Sequence, residues 1–240
     1  MAKQKLPFKN FDWTAHLAYA VGLLTTDGNL SPDGRHIHFR SNDIDLIETF
    51  KDCLNIKNKA GVSFNKGLLK NPSYKVQFGN VQLYRWLQTI GLQPNKTYTI
   101  AEVKVPDEYF RDFLRGHLDG DGSVIFYQDN YNFYKGRNYS NSRLYVYFIS
   151  ASEKHIRWLH AKVTTLAGIK TALIKNAPQD KNRVPMWVIK IAKKSSLKLL
   201  PWIYYQDALP TLARKRATAM QGINAIAQEK RKTYNKIVAT

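Results

Sequence analysis

The sequence predicts an α+β chain of two related halves, each running αββαββα, and three observations carry that prediction. First, a short apolar stretch closing on Asp-Gly occurs twice: residues 18–30 read AYAVGLLTTDGNL and residues 112–124 read DFLRGHLDGDGSV. Second, each copy is followed by an alternating strand pattern and then by a helix with the same inward spacing. Third, each half continues with two more strand candidates and a closing helix.

The two apolar stretches have helical spacing, and the Asp-Gly that ends each fits a helix turning into a strand. Asp27 and Asp121 are 94 positions apart. Ala18, Gly22 and Thr26 are spaced by four, as are Gly116 and Gly120, and residues four apart share a helix face. Small residues there let two backbones approach closely. Ala18, Gly22 and Gly116 are therefore expected to pack one helix on the other and to bring Asp27 and Asp121 together at its end. DGDGS at 119–123 is not a calcium loop, because the twelfth position holds Asn130 where a bidentate Glu is needed.

In chain order, a polar, basic lead-in over 1–12 precedes a helix from about Thr14 to Thr25. In RHIHFRSND (35–43), Ile37 and Phe39 share one strand face, with His36, His38 and Arg40 on the other. Such a face suits the DNA major groove, which admits a β-ribbon, and equally a solvated sheet surface. His36 and His38 have no third ligand nearby, which argues against a metal site. Asp43 is expected to N-cap a helix with Ile47, Phe50 and Leu54 inward. Strands follow at 60–65 and 74–79, where Lys75 and Gln77 oppose Tyr74, Val76 and Phe78; a helix at 81–90 leads to a loop with Lys96.

Residues 97–111 read as a linker, with Pro106 opening the second apolar helix. In SRLYVYFISAS (142–152), Leu144, Val146 and Phe148 face one way, with Arg143, Tyr145, Tyr147 and Ile149 opposite. Ser152 then caps a helix with Ile156, Leu159 and Val163 inward, offset by 109 from its counterpart. The second half thus carries 15 extra residues near 128–142, read either as a longer first hairpin or as a surface loop. Strands are expected at 169–175 and 186–192, where Trp187, Ile189 and Ile191 alternate with Val188 and Lys190. A helix at 195–205 echoes 81–90, Lys215 corresponds to Lys96, and a basic helical tail runs to Thr240. The resulting division is 1–96, a linker 97–111 that includes the start of the second helix, and 112–240.

Lys and Arg total 37 against 18 Asp and Glu, a net charge of +19, which points to a polyanionic partner and foremost to nucleic acid. No stretch approaches the ~18 apolar residues of a membrane span, and MAKQKLPFKNFDW lacks a secretory core, so no membrane partner is expected. The lone Cys53 excludes an intrachain disulfide and a Cys-rich zinc site, and points to a reducing, intracellular setting. Organelle and bacterial cytoplasm are not distinguished.

AVGLLTTDG (20–28) and LRGHLDGDG (114–122) resemble the paired signatures of LAGLIDADG homing endonucleases in their single-chain, two-motif form. The second copy is the better match; the first has Thr25 for the signature's earlier Asp and Ala20-Val21 for Leu-Ala. The resemblance covers nearly the whole chain. It implies a pseudo-twofold monomer whose halves each lay a four-stranded antiparallel saddle on double-stranded DNA. Asp27 and Asp121, with the carbonyls of Thr26 and Gly120, would hold Mg²⁺, about two or three ions per site, for phosphodiester hydrolysis. Lys96 and Lys215 would lie beside the scissile phosphates. His36, His38, Arg40, Lys75 and Gln77 in one half, and Arg143, Tyr145, Tyr147 and Lys190 in the other, would contact DNA. Ser41 or Asn42, and Ser150, are candidates to position water. The alternatives are an intron RNA-splicing maturase or a non-cleaving DNA-binding protein on the same scaffold, and an unrelated basic RNA-binding protein.

Overall fold

The computed structural model describes residues 9–64, 72–134, 137–177 and 184–238; the start of the basic lead-in and the end of the strand expected at 60–65 lie outside them. Helix α1 (Ala15–Thr26) starts where the Thr14 side chain accepts the Leu17 N–H, and it is buried from Leu17 to Thr25. A helix with no polar face is an interior helix. Then come β1 (Gly28–Leu30), β2 (His36–Ser41), α2 (Ile44–Leu54), β3 (Gly61–Phe64), β4 (Pro72–Gly79) and α3 (Val81–Thr89). The second half repeats the order with α4 (Phe110–Asp119), β5 (Ser123–Tyr134), β6 (Arg137–Ser150), α5 (Glu153–Leu166), β7 (Ala172–Asn176), β8 (Met186–Ile191) and α6 (Lys193–Ile203). A last helix, α7 (Ala213–Val238), follows.

The fold is α+β, with two antiparallel four-stranded sheets in the same order, β1-β2-β4-β3 and β5-β6-β8-β7. Strand alternation decides which face turns inward: Ile37, Phe39 and Val76 are fully buried in one half, and Leu144, Val146 and Phe148 in the other. Phe39 meets Phe50 of α2 with ring centroids 4.6 Å apart. Ile156, Leu159 and Val163 of α5 are likewise fully buried. Val188 departs from the expected alternation. It stands on the outer face yet is buried, because its cross-strand partners Ile149 and Ile174 flank it.

Helices α1 and α4 cross at their glycines. A Cβ added at Gly22 would lie 2.2 Å from the Phe113 carbonyl oxygen, and one at Gly116 would lie 2.1 Å from that of Tyr19. Ala18 is fully buried on the same face of α1.

Two local expectations are corrected, and the helical tail gains a role. Pro106 precedes a 3-10 turn at Asp107–Tyr109, and α4 begins only at Phe110. Asp43 occupies the N-cap position of α2 without capping it, because its carboxylate is turned to Arg214. The basic tail is a packed element: α7 lies on β5 and β6, burying Ala219 and Ile226, with Gly222 close against Leu144. Of the two readings for the extra residues, the strands favour a hairpin. β5 and β6 run 12 and 14 residues, against 3 and 6 for β1 and β2.

Candidate nucleic-acid interface and carboxylate pair

Asp27 and Gly120 are the C-terminal caps of α1 and α4, so the helix crossing brings both Asp-Gly corners to one end. A Cβ at Gly120 would lie 2.0 Å from Thr26 Oγ1 and 2.8 Å from Asp27 Oδ2, which leaves room only for glycine. Asp27 and Asp121 keep access to solvent, yet protein crowds them. Desolvation, with the charge of Asp121, lifts the Asp27 carboxyl to about 6. Desolvation also raises Asp121.

Both lysines are buried against these corners, and equivalently: Lys96 Nζ donates to the Gly28 carbonyl and Lys215 Nζ to that of Gly122. Beyond that they differ. Lys215 also donates to the carbonyls of Leu118, Asp119 and Gly120 at 2.8, 2.8 and 3.0 Å. Its ammonium therefore caps the C-terminus of α4, where cations are favoured. Lys96 instead opens onto a cleft of about 530 Å³ lined also by Thr26, Asp121, Ser150 and Met186. Burial lowers Lys96 to about 8, and the two aspartates oppose that shift. Lys215 is lowered by burial as well.

The sheet candidates fall unevenly. His38, Arg40 and Lys75 share a cleft of about 300 Å³ with Asp27 and Asn29. Burial and the neighbouring cations Lys75 and Arg40 lower His38. Gln77 pairs with His38 across the sheet and is exposed. His36 stands on the same face, but its Nδ1 is engaged by Asp33. Backbone and ring hydrogen bonds from His36 lower the Asp33 carboxyl to about 2. In the second half Arg143 is held by Asp129 through Nε at 3.1 Å and Nη2 at 2.9 Å. Lys190 lies over the Tyr145 ring, and Tyr145 is tilted against Tyr147. Ser41 and Asn42 line a cleft with Asp27 and Gly120. Ser41 and Ser150 each accept the backbone N–H two residues on, from Asp43 and Ser152, at 3.1 Å.

Several polar groups around the site escaped the sequence reading. Asp119, the earlier aspartate of the second motif, is buried and accepts from Tyr19 Oη at 2.8 Å and Leu212 N at 2.7 Å, tying α4 to α1 and to the start of α7. Arg115 is fully buried, with Nη2 on Asp112 at 2.8 Å and Nη1 and Nε on the carbonyls of Ile203 and Pro210, both at 2.9 Å. Arg214 clasps Asp43 of the other half at 3.1 and 2.8 Å. His117 and His155 meet Nε2 to Nε2 at 3.1 Å, while His155 Nδ1 donates to the Ala101 carbonyl at 2.7 Å. Arg115, His117 and Asp119 fall inside the motif, but their partners were not legible there. Partners lying 38 to 171 positions away are invisible to local pattern.

The histidine pair makes a pH prediction. Burial holds His155 at about 4 and His117 well below its ordinary value, and the charges of Lys96 and Lys215 add to the effect on His117. Unfolded imidazoles titrate near 6.5, so between roughly pH 6.5 and 4 the unfolded chain binds more protons and stability falls as pH falls. For His155 the loss is up to about 2 kcal/mol between pH 6.5 and 5, and His117 adds to it in the same direction. Asp119, lifted to about 6 by burial, acts in the opposite sense below that pH. Replacing both rings (His117→Leu with His155→Leu) leaves no lone ring behind and should flatten the acid-side decline in urea unfolding. Parallel pH curves for variant and wild type would count against this assignment.

No family model and no curated protein sequence matches the chain. Solved structures do. Meganuclease I-SmaMI bound to uncleaveable DNA is 13% identical with a TM-score of 0.59, covering 96% of both chains. The LAGLIDADG meganuclease I-AabMI bound to uncleaved DNA is 14% identical with a TM-score of 0.57, over 90% of this chain and 91% of that one. Full-length DUF199/WhiA from Thermatoga maritima is 15% identical with a TM-score of 0.54, over 96% of this chain and 68% of that one. At such identities the likeness speaks for architecture: this chain has the two-half α+β fold that those proteins share.

Proposed function

We propose that the chain is a site-specific double-stranded DNA endonuclease that hydrolyses one phosphodiester in each strand of a long, asymmetric target. The carrying observation is the pair of coupled carboxylates where α1 and α4 end, each backed by a buried lysine and each bordering the outer face of a sheet. The net charge of +19 and the DNA-bound neighbours of the same fold support the reading.

The donor set fits Mg²⁺. Burial and the charge of Asp121 raise the Asp27 carboxyl, which a divalent cation would offset, and Mg²⁺ is typically held by one or two carboxylates with water completing its shell. Among the described residues no group of three or more His, Cys, Asp or Glu forms a richer site. Asp27 and Asp121, with the Thr26 and Gly120 carbonyls, would hold the ions, which would neutralise phosphate charge and activate water. Lys96, charged at neutral pH and open to the cleft, supplies a cation beside developing negative charge. Lys215 fixes the α4 corner that presents Asp121. Ser41 and Ser150 keep a hydroxyl hydrogen for a water at the mouth of each cleft.

Incubating a randomised duplex library with Mg²⁺ and sequencing the ends tests the reading; intact DNA at every position would refute it. A non-cleaving binder on the same scaffold would enrich duplexes without producing ends. Binding should also weaken steeply with salt, because neutralised phosphates release counterions. Arg40→Ala should relax base preference on one side of the cut by about 1–3 kcal/mol and leave the other side unchanged. Equal loss across all single-base variants would make Arg40 a phosphate contact instead.

A further inference from the structure

The outer faces of the two sheets run up to the two carboxylates but differ in chemistry. On the first, the positions that register together are polar: Asn29 faces His38, His38 faces Gln77, and Arg40 faces Lys75. Asn29, His38, Arg40 and Lys75 share a cleft with Asp27. On the second, Ile125 faces Tyr145, and Ile149 and Ile174 flank Val188. Ile125, Tyr127, Ile174 and Met186 are 36–47% exposed. Tyr127, Tyr145 and Tyr147 form a row with centroids 6.5 and 6.0 Å apart. Two cations among the described side chains of this face are engaged, Arg143 by Asp129 and Lys190 over the Tyr145 ring. Ile149 and Met186 line the cleft that holds Asp121 and Lys96.

We infer that the second half reads a thymine-rich half-site through its C5-methyl groups, while the first half reads its half-site through hydrogen bonds. This rests on the proposed DNA reading. In the major groove only thymine presents a methyl, and apolar side chains recognise it where bidentate donors recognise guanine or adenine. A face with its guanidinium engaged and several apolar side chains in water has little to offer a guanine edge, and gains by burying methyls. A duplex is the occupant because this face is continuous with the carboxylate cleft and belongs to a chain of net charge +19.

The test uses the full chain in Ca²⁺. Duplexes enriched from a random pool are sequenced, and thymines of one half-site are replaced by uracil, which removes the methyl alone. Affinity should fall about fourfold per contacted methyl in one half-site and stay constant in the other. Ile125→Ser should lower affinity for the thymine duplex and erase part of the uracil effect, whereas Gln77→Ala should not change it. Cytosine placed at a contacted thymine position should lose affinity that 5-methylcytosine recovers. Equal uracil effects in both halves, or none in either, would overturn the inference while leaving DNA binding intact. Failure to enrich any duplex would overturn the DNA reading itself. A concentration-dependent dimer that loses affinity for itself in Ile125→Ser would assign the face to a second copy and overturn the inference too.

Discussion

Asp27→Asn and Asp121→Asn should each abolish double-strand cleavage, with a loss on the order of 10³-fold or more, while duplex binding in Ca²⁺ persists. Asparagine keeps the shape and one acceptor oxygen but removes the charge that a divalent cation needs. The structure adds a second, independent signature. Asp27 is raised partly by the charge of Asp121, so the two repel, and neutralising either should leave thermal stability unchanged or higher. A true site residue thus shows lost activity with an unshifted or raised melting temperature. Cleavage at the wild-type rate in either variant would remove both residues from the mechanism, and lost activity with a fall in stability would assign the effect to folding.

Gly22→Ala and Gly116→Ala should each destabilise the chain by about 3 kcal/mol or more, against the sign that helix propensity alone gives. In an exposed helix, glycine to alanine stabilises by roughly 1 kcal/mol. Here the new methyl would meet the Phe113 carbonyl oxygen at 2.2 Å or that of Tyr19 at 2.1 Å. Both are backbone atoms, so no rotamer change relieves the contact and the helices must separate. Separation would strip Tyr19 from Asp119 and draw Asp27 away from Gly120. Gly61→Ala is the control, since its nearest neighbour would be 3.8 Å away, and it should change stability by no more than about 0.5 kcal/mol. Urea unfolding separates the cases, and equal midpoints for Gly22→Ala and Gly61→Ala would show that the crossing is looser than its geometry. The double variant should cost less than the two singles together, because one displacement relieves both clashes.

The amino-acid sequence by itself determined which residues share a face. Alternation placed Ile37 and Phe39 inward and His38 and Arg40 outward, and helical spacing placed Ile156, Leu159 and Val163 in the core. Those relations depend on φ and ψ alone, which repeat with periods that a local pattern records. The repeated Asp-Gly corners were legible for the same reason, as was the repeated order of elements along the chain; the matching strand orders of the two sheets were not. What only the tertiary structure decided is how each polar group is spent. Asp43 reads as a cap and is instead clasped by Arg214; Arg143 reads as a candidate DNA contact and is held by Asp129. Lys96 and Lys215 read as equivalents, yet one opens onto a cleft and the other is enclosed by four carbonyls. The tail read as a basic helix, and only the structure lays that helix on a sheet. A buried donor or acceptor must find a partner wherever packing places one, and packing joins positions far apart in the chain, so no local period encodes the match.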